Sequence, residues 1–560
     1  MHVHGPRGGP CGDRTPRGGG PGRGRPHPHP LLRGRGPGHH RRGGGRVRPG
    51  SPEGGDGHDP GGHHRGRRRR RPHRPPVGGH ERGDGPLGLR ERRVPLPHPG
   101  RGAEEAGRPQ APGCPHPPHP GDHGPGAGLP PALLRRAVHR LVLVGGGHAH
   151  LAVLASLVES PRPPGEVVLV SEDRHHWYSG RVPAHLRGEL EPRELQFDLA
   201  ALARAAGVEF VEARAAAICR APGSGYLVHL EGEPDDPLRA AALSLDVGSV
   251  PRGARLPGVA EHALAVRPMA RARELRERLD TVTRDRPRDT EVPAVVVGGG
   301  AAGVEVALAL HARITELGRS PAVRILEAGP HILPGWRPKA RRRAMDILRR
   351  RGVEVETGIR VVEVEPHAVV VERDVGGLQS APRAGPVREP GLLAVWLTGA
   401  APPPLLAASE LPLDDDGYLE VDTTLRATDG APVWGGGDCI SVAGHPPLPK
   451  AGVQPVRQGP VLAANLRAHL EGAGDADDGS GKAGEAGGAE SDGASAGKAG
   501  SRGAPPRHFE PDPTFLALLD TSDGRALLRW RGLCLHTRWA RWLKDRIDGR
   551  FVERYRSLES

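Results

Sequence analysis

Two segments of the chain repeat the same succession of an apolar strand, a glycine-rich turn and a helix rich in alanine and leucine. The first reads "HRLVLVGGGHAHLAVLASL" and the second, which begins at Val292, reads "VPAVVVGGGAAGVEVALALHARI". Strand-like runs that alternate with helical runs are typical of parallel α/β proteins. A glycine turn at such a junction lets the helix N-terminus approach a phosphate group. The chain is therefore predicted to carry two nucleotide-binding units.

The first segment matches the dinucleotide-binding motif G-x-G-x-x-G in part. Gly145 and Gly147 occupy its first two glycine positions, and His150 stands where the third glycine is expected. The next strand, "EVVLV", is followed by Glu172, at the distance expected for a carboxylate that holds ribose hydroxyls. These four residues are predicted to bind a dinucleotide. The alternative is a surface turn, in a chain that contains 84 glycines.

The second segment matches the motif completely. Gly298, Gly300 and Gly303 hold its three glycine positions, and the following strand "AVRILEAG" carries Glu327 near its end. A carboxylate there accepts the 2′-hydroxyl of NADH and repels the 2′-phosphate of NADPH, so NADH is the predicted partner. Basic residues within 337–343 would weaken that preference if they faced the nucleotide.

Further motifs follow these segments in a fixed order. They are "LSLDVGSVP", "VWLTGAAPP", "DDDGYLEVDTTLRATDGAPVWGGGDCIS" and "LPKAGVQPVRQGPVLAANLRAHL". With them, residues 138–475 resemble the pyridine nucleotide-disulfide oxidoreductase superfamily of two-dinucleotide flavoproteins. The resemblance implies an α/β fold of two Rossmann-like domains, similar to glutathione reductase, with FAD in the first and NAD(P)H in the second.

Within that superfamily the resemblance points to one subgroup. "GGGHAHLAVL", "RHHWYSGRVPAHLRGEL" and "FLALLDTSDGRALLRW" are similar to the flavoprotein found beside or fused to selenophosphate synthetase. That subgroup is related to type II NADH dehydrogenases and sulfide:quinone reductases. The histidine in place of the third glycine belongs to the subgroup's pattern.

The resemblance also implies roles for residues outside the glycine turns. Asp438, after Gly437, would hold the ribityl chain of FAD, and Gly248 and Gly399 would close the two nucleotide units. The side chains expected at the flavin are Lys450 and Gln454 at its ring, with Tyr178 and Arg181 on the pocket wall; simple packing is the alternative for each. Hydride would pass from NADH to FAD and on to a quinone or another small acceptor, and no acid–base pair is required.

The cysteine spacing argues against a dithiol relay next to the first turn. The chain has five cysteines, far apart in sequence, and "WYSGRVPA" stands where disulfide reductases place their redox pair. Transfer directly to an external acceptor is therefore preferred. The alternative enzyme oxidises sulfide or another chalcogen through Cys219 with Cys439 or Cys534, and Cys219 and Cys534 could meet in the fold. A third interpretation is a non-catalytic nucleotide-binding flavoprotein linked to selenium metabolism.

The basic charge of the chain is confined to its first quarter. Residues 1–130 contain 24 Arg, no Lys, 10 acidic residues, 15 His and no aromatic residue, whereas the remainder is close to neutral. Residues 1–137 are predicted to be a disordered extension, produced by translation upstream of a true start near Val138. An arginine-rich nucleic-acid-binding tail or a histidine-rich metal-binding tract is the alternative. Nucleic acid is not expected to bind the folded core.

The remaining chain divides by composition. The expected domains are 138–290 and 401–475 for FAD, 291–400 for NAD(P)H, a disordered linker over 476–506, and a C-terminal unit over 507–560.

The C-terminal unit ends in an amphipathic helix. It would place on one face the residues Trp539, Trp542, Leu543, Ile547 and Phe551. That face either rests on a membrane surface or docks on the FAD domain. Because the chain shows no spanning segment and no signal peptide, a cytoplasmic location is expected, with peripheral contact at the inner face of the membrane as the alternative.

Overall fold

A computed structural model describes Cys114 and residues 140–373, 387–478 and 505–559. The rest of the predicted extension and most of the predicted linker lie outside the described residues. The helix that precedes the linker ends at Asp478.

The first five-stranded sheet belongs to the predicted FAD unit. Its strands lie side by side in the order Val433–Gly435, Ala242–Leu245, Arg140–Val144, Glu166–Ser171 and Glu209–Glu212, all in parallel. These strands are mostly Val and Leu because both faces of a parallel sheet are covered. The strand at 433 returns from beyond the second unit, so two separate stretches of chain build this domain.

The second five-stranded sheet is also parallel throughout. Its order is Ala263–Ala265, Leu393–Trp396, Glu291–Val297, Ser320–Glu327 and Glu354–Thr357. The edge strand at 263 and the helix Arg271–Arg284 pack within the core of this sheet. The second unit therefore includes residues that the sequence analysis assigned to 138–290.

Smaller sheets flank the two units. Three-stranded antiparallel sheets are formed by Ala215–Arg220, Tyr226–Leu230 and Glu233–Ala240; by Ile359–Glu365, Ala368–Arg373 and Val387–Pro390; and by Ala517–Asp520, Ala526–Trp530 and Leu533–Thr537. Two-stranded pairs are formed by His175–Trp177 with Gln196–Asp198, by Val250–Pro251 with Ala400–Ala401, and by Leu419–Val421 with Ile440–Val442.

The helices of the described chain fill the connections between strands. The α-helices are His148–Glu159, Val182–Leu186, Leu199–Ala205, Val259–His262, Arg271–Arg284, Ala301–Glu316, Pro338–Arg350, Pro404–Ala407, Val453–Asp478 and Arg538–Arg556. Short 3-10 helices are Ser179–Arg181, Pro192–Glu194 and Gly437–Cys439. None of the described helices is both long and apolar enough to span a bilayer. The predicted α/β fold of two Rossmann-type units is confirmed.

The C-terminal unit packs on both nucleotide units. Its strands contribute Ala517, Leu519 and Leu527 to the core of the second unit, whereas Val552 and Tyr555 of its helix join the core of the first. The helix Arg538–Arg556, here called the C-terminal helix, buries the stripe Ala540, Lys544, Asp548, Val552 and Tyr555.

The predicted single apolar face of this helix is therefore divided. Trp539, Trp542 and Ile547 point outward, whereas Phe551 stacks on Tyr178 with ring centroids 4.7 Å apart. The prediction of one apolar face was wrong, because the docked side combines the buried charged residues Lys544 and Asp548 with Tyr555.

The second glycine turn shows why its third glycine is required. A Cβ at Gly303 would lie 1.9 Å from the carbonyl oxygen of Gly298, whereas a Cβ at Gly300 would meet no atom within 4 Å. Gly303 therefore lets the helix approach the strand end, and Gly300 borders open space.

Replacement of Gly303 by Ala is expected to destabilise the protein by about 1–3 kcal/mol, because the added methyl group forces the helix away from the turn. Gly300→Ala is the matched control: its φ of −68° suits any residue, so the change in stability should stay within about 0.5 kcal/mol. Guanidinium unfolding of both variants measures the difference, and equal losses of stability would contradict this account.

Candidate functional site

The first glycine turn lies against the end of the strand Ala242–Leu245. Gly145 has a φ of +97° and donates its N–H to the carbonyl of Val170 at 2.8 Å. A Cβ at Gly145 would lie 2.4 Å from the backbone oxygen of Asp246. The turn is thus wedged between two strand ends, and only glycine fits at its first position.

The side chain of Asp246 occupies the centre of the first nucleotide unit. Its Oδ2 accepts the N–H groups of Ala149 at 2.7 Å and His150 at 3.0 Å, in the first turn of the helix. A Cβ at Gly147 or at Gly437 would lie 2.3 Å from atoms of this carboxyl group. Two motif glycines therefore make room for Asp246, which the sequence analysis did not assign to the site.

The environment of Asp246 disfavours a negative charge. Burial, together with the neighbouring carboxylate of Asp438, raises the pKa of Asp246 to about 7, against the lowering effect of the two N–H groups. Burial and then Asp246 raise the pKa of the adjacent Cys439 thiol to about 12. The thiol is therefore protonated at neutral pH and is not poised as a nucleophile.

Asp438 and Gln454 converge on a cavity of about 220 Å³, as the resemblance implies for a flavin site. Oδ2 of Asp438 accepts the hydroxyl of Ser249 at 3.1 Å. The Oε1 of Gln454 is buried and accepts no hydrogen bond from the described residues, so a polar ligand group would satisfy it. The residues of this cavity fit a polar, hydrogen-bonding cofactor.

Lys450 also lines the cavity but is held on its wall. Its Nζ donates to the carbonyl of Ile440 at 2.5 Å and lies 3.8 Å from the ring centroid of Tyr418. Burial lowers the pKa of Lys450, while Asp438 opposes that effect. Lys450 therefore supplies a partly desolvated cation close to the ribityl position predicted for Asp438.

His150 is buried between the first nucleotide helix and the sheet. Its Nδ1 lies 2.6 Å from the carbonyl of Gly145, and its Nε2 lies 2.8 Å from the hydroxyl of Ser244. A carbonyl only accepts, so Nδ1 donates and Nε2 accepts from the serine. Burial lowers the pKa of His150 to about 4. The expectation that His150 contacts a cofactor is corrected, since both ring nitrogens are engaged in holding the helix to the strands.

Glu172 and Arg181, two further residues predicted for the first site, lie toward the surface. Glu172 pairs with Arg214 at 2.6 Å, at the end of its strand. Arg181 donates to the carbonyl of Glu194 at 2.9 Å and faces Gly549 of the C-terminal helix. Arg181 therefore helps to seat this helix.

At the second glycine turn the predicted carboxylate is in place. Oε2 of Glu327 accepts the N–H of Gly299 at 2.6 Å, and its Oε1 accepts that of Gly329 at 2.7 Å. A Cβ on Gly300 or Gly399 would meet nothing within 4 Å, so open space adjoins both backbones. A helix N-terminus, an open turn and a fixed carboxylate fit an adenine dinucleotide.

A buried polar network links Tyr178 and Gly180 of the first unit to the C-terminal helix. Tyr178 donates its hydroxyl to Asp548 at 2.9 Å, and Lys544 donates to Asp548 and to the carbonyl of Gly180, each at 2.7 Å. Burial and then Asp548 raise the pKa of the Tyr178 phenol. The ring of Tyr178 also lies 5.8 Å from that of His148, the first residue of the first nucleotide helix.

The network reaches the second unit at Glu305, five residues into its nucleotide helix. Glu305 accepts the N–H of Asp520 at 2.7 Å, and burial raises its pKa to about 7 although Lys544 lowers it. Burial alone would lower the pKa of Lys544, but the carboxylates of Asp548 and Glu305 raise it above its usual value. This network was not predicted from the sequence, because charged residues such as Lys544 and Asp548 in a helix are usually exposed to solvent.

The cysteines do not assemble next to the first turn. Cys219 forms a disulfide with Cys114, with Cα atoms 5.6 Å apart, so the alternative pairing of Cys219 with Cys534 is wrong. Cys439 is buried and its thiol donates to the carbonyl of Gly436 at 3.2 Å. Within the described residues no group of three or more His, Cys, Asp or Glu side chains is placed to hold a metal ion.

A comparison of the sequence with protein families identifies the family of this chain. The sequence profile of the pyridine nucleotide-disulphide oxidoreductases matches residues 139–464. The chain belongs to this family. Membership of this family implies FAD and NAD(P)H as cofactors in general.

Curated relatives are about 25% identical to this chain over the aligned segments. The external alternative NAD(P)H-ubiquinone oxidoreductase B4 of Arabidopsis thaliana mitochondria is 26% identical over 292 residues, 48% of each chain. The demethylphylloquinone reductase NdbB of Synechocystis is 25% identical over 302 residues, 53% of this chain and 71% of its own length. The type II NADH:quinone oxidoreductase of Mycobacterium tuberculosis is 26% identical over 238 residues, 39% of this chain and 49% of its own. The chain spans about half the length of most of these relatives.

Solved structures share the fold. The sulfide:quinone oxidoreductase of Aquifex aeolicus has a TM-score of 0.58 at 15% identity and covers 75% of this chain and 92% of its own. The NADH complex of NDH2 from Plasmodium falciparum has a TM-score of 0.55 at 13% identity, with 75% and 97% covered. At these identities the likeness establishes the architecture alone.

Proposed function

We propose that the protein is an FAD-dependent NADH oxidoreductase that passes electrons to a quinone. The observation that carries this proposal is the second turn, where Glu327 is fixed by two backbone N–H groups beside open space at Gly300. A first nucleotide unit with Asp438 on a polar cavity complements it. The relatives named as NAD(P)H–ubiquinone and NADH:quinone oxidoreductases support the same reaction class.

Binding and orientation are the work of the protein in this reaction. FAD, when bound, supplies the two-electron chemistry. Glu327 would hold the ribose hydroxyls of NADH, and the N–H groups at the second turn would hold its diphosphate. Asp438 would hold the ribityl hydroxyls of FAD. The C-terminal helix fixes the hydroxyl of Tyr178 through Asp548.

Direct transfer to an external acceptor is favoured over a thiol relay. Cys439 donates to a backbone carbonyl and has a raised pKa, and Cys219 is bonded to Cys114. These cysteines therefore do not support the alternative of sulfide oxidation through a cysteine pair.

We also propose that the protein rests on a membrane surface, where a quinone is dissolved. Five of the seven large apolar side chains that are exposed in the described chain belong to the C-terminal unit. This outer patch consists of Trp530, Leu533, Trp539, Trp542 and Ile547, each 43–55% exposed.

The charge next to the outer patch favours anionic lipid. Arg531 lies 5.5 Å above the ring of Trp530, and Arg546 lies 5.7 Å above that of Trp542. Aromatic residues beside arginines are typical of segments that lie in the headgroup region of a bilayer.

The resemblance to flavoproteins associated with selenophosphate synthetase adds a physiological proposal. A role in selenium metabolism would make the natural acceptor a compound of that chemistry, or make the protein a nucleotide-binding partner. Firm NADH binding with negligible turnover on every acceptor would favour the second of these.

Anaerobic titration tests the reaction. NADH is expected to bleach the flavin absorbance of the purified protein, a short-chain quinone to restore it, and sulfide to leave it unchanged. Cys439→Ser should retain turnover within about twofold, because the thiol only fills space and donates one weak hydrogen bond. A colourless protein that takes up no flavin, or a flavin reduced by sulfide and indifferent to NADH, contradicts the proposal.

Replacement of Glu327 by Gln tests the choice of nucleotide. Loss of the carboxylate charge removes the repulsion of a 2′-phosphate, so kcat/KM for NADPH relative to NADH should rise about tenfold, or about 1.4 kcal/mol. Glu274→Gln removes the same charge from an exposed position on the helix Arg271–Arg284 and should leave the ratio unchanged. An unchanged ratio in E327Q would place the adenosine ribose elsewhere.

Sedimentation with vesicles tests the membrane contact. The wild-type protein should sediment with vesicles that contain phosphatidylglycerol and stay in solution with pure phosphatidylcholine. The double variant W539S/W542S should lose most of this binding, whereas Val387→Ser, which removes an exposed apolar side chain outside the C-terminal unit, should not. Equal binding by all three proteins would show that the outer patch is not the contact.

A further inference from the structure

The two glycine turns have the same backbone construction but differ in one side chain. At the first turn a Cβ on Gly145 would lie 2.4 Å from the carbonyl oxygen of Asp246, and at the second a Cβ on Gly298 would lie 2.4 Å from that of Leu397. Asp246 and Leu397 therefore take equivalent places, each at the end of the strand that crosses its turn.

The difference decides what the N-terminus of each helix faces. At the first turn the N–H groups of Ala149 and His150 bind the Asp246 carboxyl group, which is 3% exposed. At the second turn the equivalent residue is apolar, and the space beside Gly300 is open. One of two homologous anion-binding positions thus already contains an acidic group of the protein itself.

Asp246 has no cationic partner among the described residues. Within the described residues it forms no ion pair, and the nearest acidic groups are the carboxylate of Asp438 and the thiol of Cys439. His150 presents its backbone N–H, while its ring bonds Gly145 and Ser244. A dinucleotide diphosphate brings two further negative charges toward this helix N-terminus.

We propose that Asp246 is a cofactor-positioning residue of the first site and that it takes up one proton when a dinucleotide diphosphate binds there. This inference rests on the proposed function in so far as the ligand is FAD. The carboxylate and one proton from solvent give the neutral acid, which keeps accepting the two N–H bonds through its carbonyl oxygen. The neutral acid no longer repels the diphosphate.

The sign of the effect follows from the protonation states. In the FAD-free protein the pKa of Asp246 is about 7, because burial disfavours the charged form. Below pH 7 the acid is already neutral and FAD affinity is independent of pH. Above pH 7 the proton must be taken up from solvent, so the Kd for FAD rises with pH, by up to tenfold per unit.

Neighbouring histidines and the Cys439 thiol do not produce the same slope. Burial lowers the pKa of His148 well below its usual value and that of His150 and His176 to about 4, so all three are neutral throughout this range. The thiol of Cys439, with a pKa of about 12, stays protonated. Lys450, whose pKa is lowered by burial, lines the same cavity and is unchanged in Asp246→Asn, so the part of the slope between pH 7 and 9 that this variant removes reports Asp246.

The test measures the Kd for FAD of the full-length, flavin-depleted protein between pH 6 and 9 by quenching of FAD fluorescence. We expect a constant Kd up to about pH 7 and an increase of ten- to a hundredfold by pH 9. Asp246→Asn keeps an acceptor for the two N–H groups and cannot ionise, so its Kd should lose this slope. NADH binding at the second turn is the internal control and should be flat in both proteins.

A second measurement does not depend on the variant folding. Calorimetry of FAD binding to the wild-type protein at pH 8.5, in two buffers of different ionisation enthalpy, should show uptake of close to one proton. The Asp246→Leu variant carries the same residue type as Leu397 at the second turn, and it should show no proton uptake.

The outcomes separate the two proposals. FAD binding without proton uptake, or a pH slope that is equal in the wild-type protein and Asp246→Asn, overturns the role of Asp246 and leaves the oxidoreductase proposal standing. Absence of FAD binding at every pH overturns both.

Discussion

Each nucleotide site depends on the close approach of a glycine Cα to a backbone carbonyl at the end of the neighbouring strand. A Cβ on Gly145 would lie 2.4 Å from the carbonyl oxygen of Asp246, and a Cβ on Gly298 would lie 2.4 Å from that of Leu397. Both glycines have positive φ, so no other residue fits without strain. This contact fixes the strand, the turn and the helix as one rigid unit and aims the helix N-terminus past the carboxyl end of the sheet.

The two units differ in the groups that surround the glycine turn. The second unit leaves its turn open and sets the Glu327 carboxylate beside it, an arrangement that suits a nucleotide that exchanges in every turnover. The first unit surrounds its turn with Asp246, Gly437 and the buried end of the helix Val453–Asp478. A more enclosed pocket suits a cofactor that stays bound.

The C-terminal helix docks through a buried ion pair rather than through its tryptophans. Its docked side carries the buried pair Lys544 and Asp548, whereas two tryptophans face outward. A buried ion pair adds little stability against an apolar pair of the same size, but it tolerates few alternative registers because each charge must meet its partner. Tyr178 and the carbonyl of Gly180 supply those partners, so the pair orients the helix on the pocket wall.

Sequence patterns predicted the parts of the site that depend on near neighbours. The glycine positions and the strand that carries Glu327 follow from local periodicity and backbone requirements, whereas the Gly437–Asp438 turn was expected from the family resemblance. His150 was assigned to the cofactor because a motif position alone does not reveal whether a side chain faces the ligand or the sheet. Its contact with Ser244, 94 residues away, decides that.

The sequence by itself determined the fold class, the two dinucleotide units and the absence of a dithiol pair beside the first turn, because strand and helix periods, glycine turns and cysteine spacing are local properties. Only the tertiary structure decided which charged groups are buried. Asp246 meets Ala149 across 97 residues and Tyr178 meets Asp548 across 370. Partners so far apart in sequence meet only when whole domains pack together. Burial then shifts the pKa of an aspartate or a lysine, and the residue type alone does not reveal that shift.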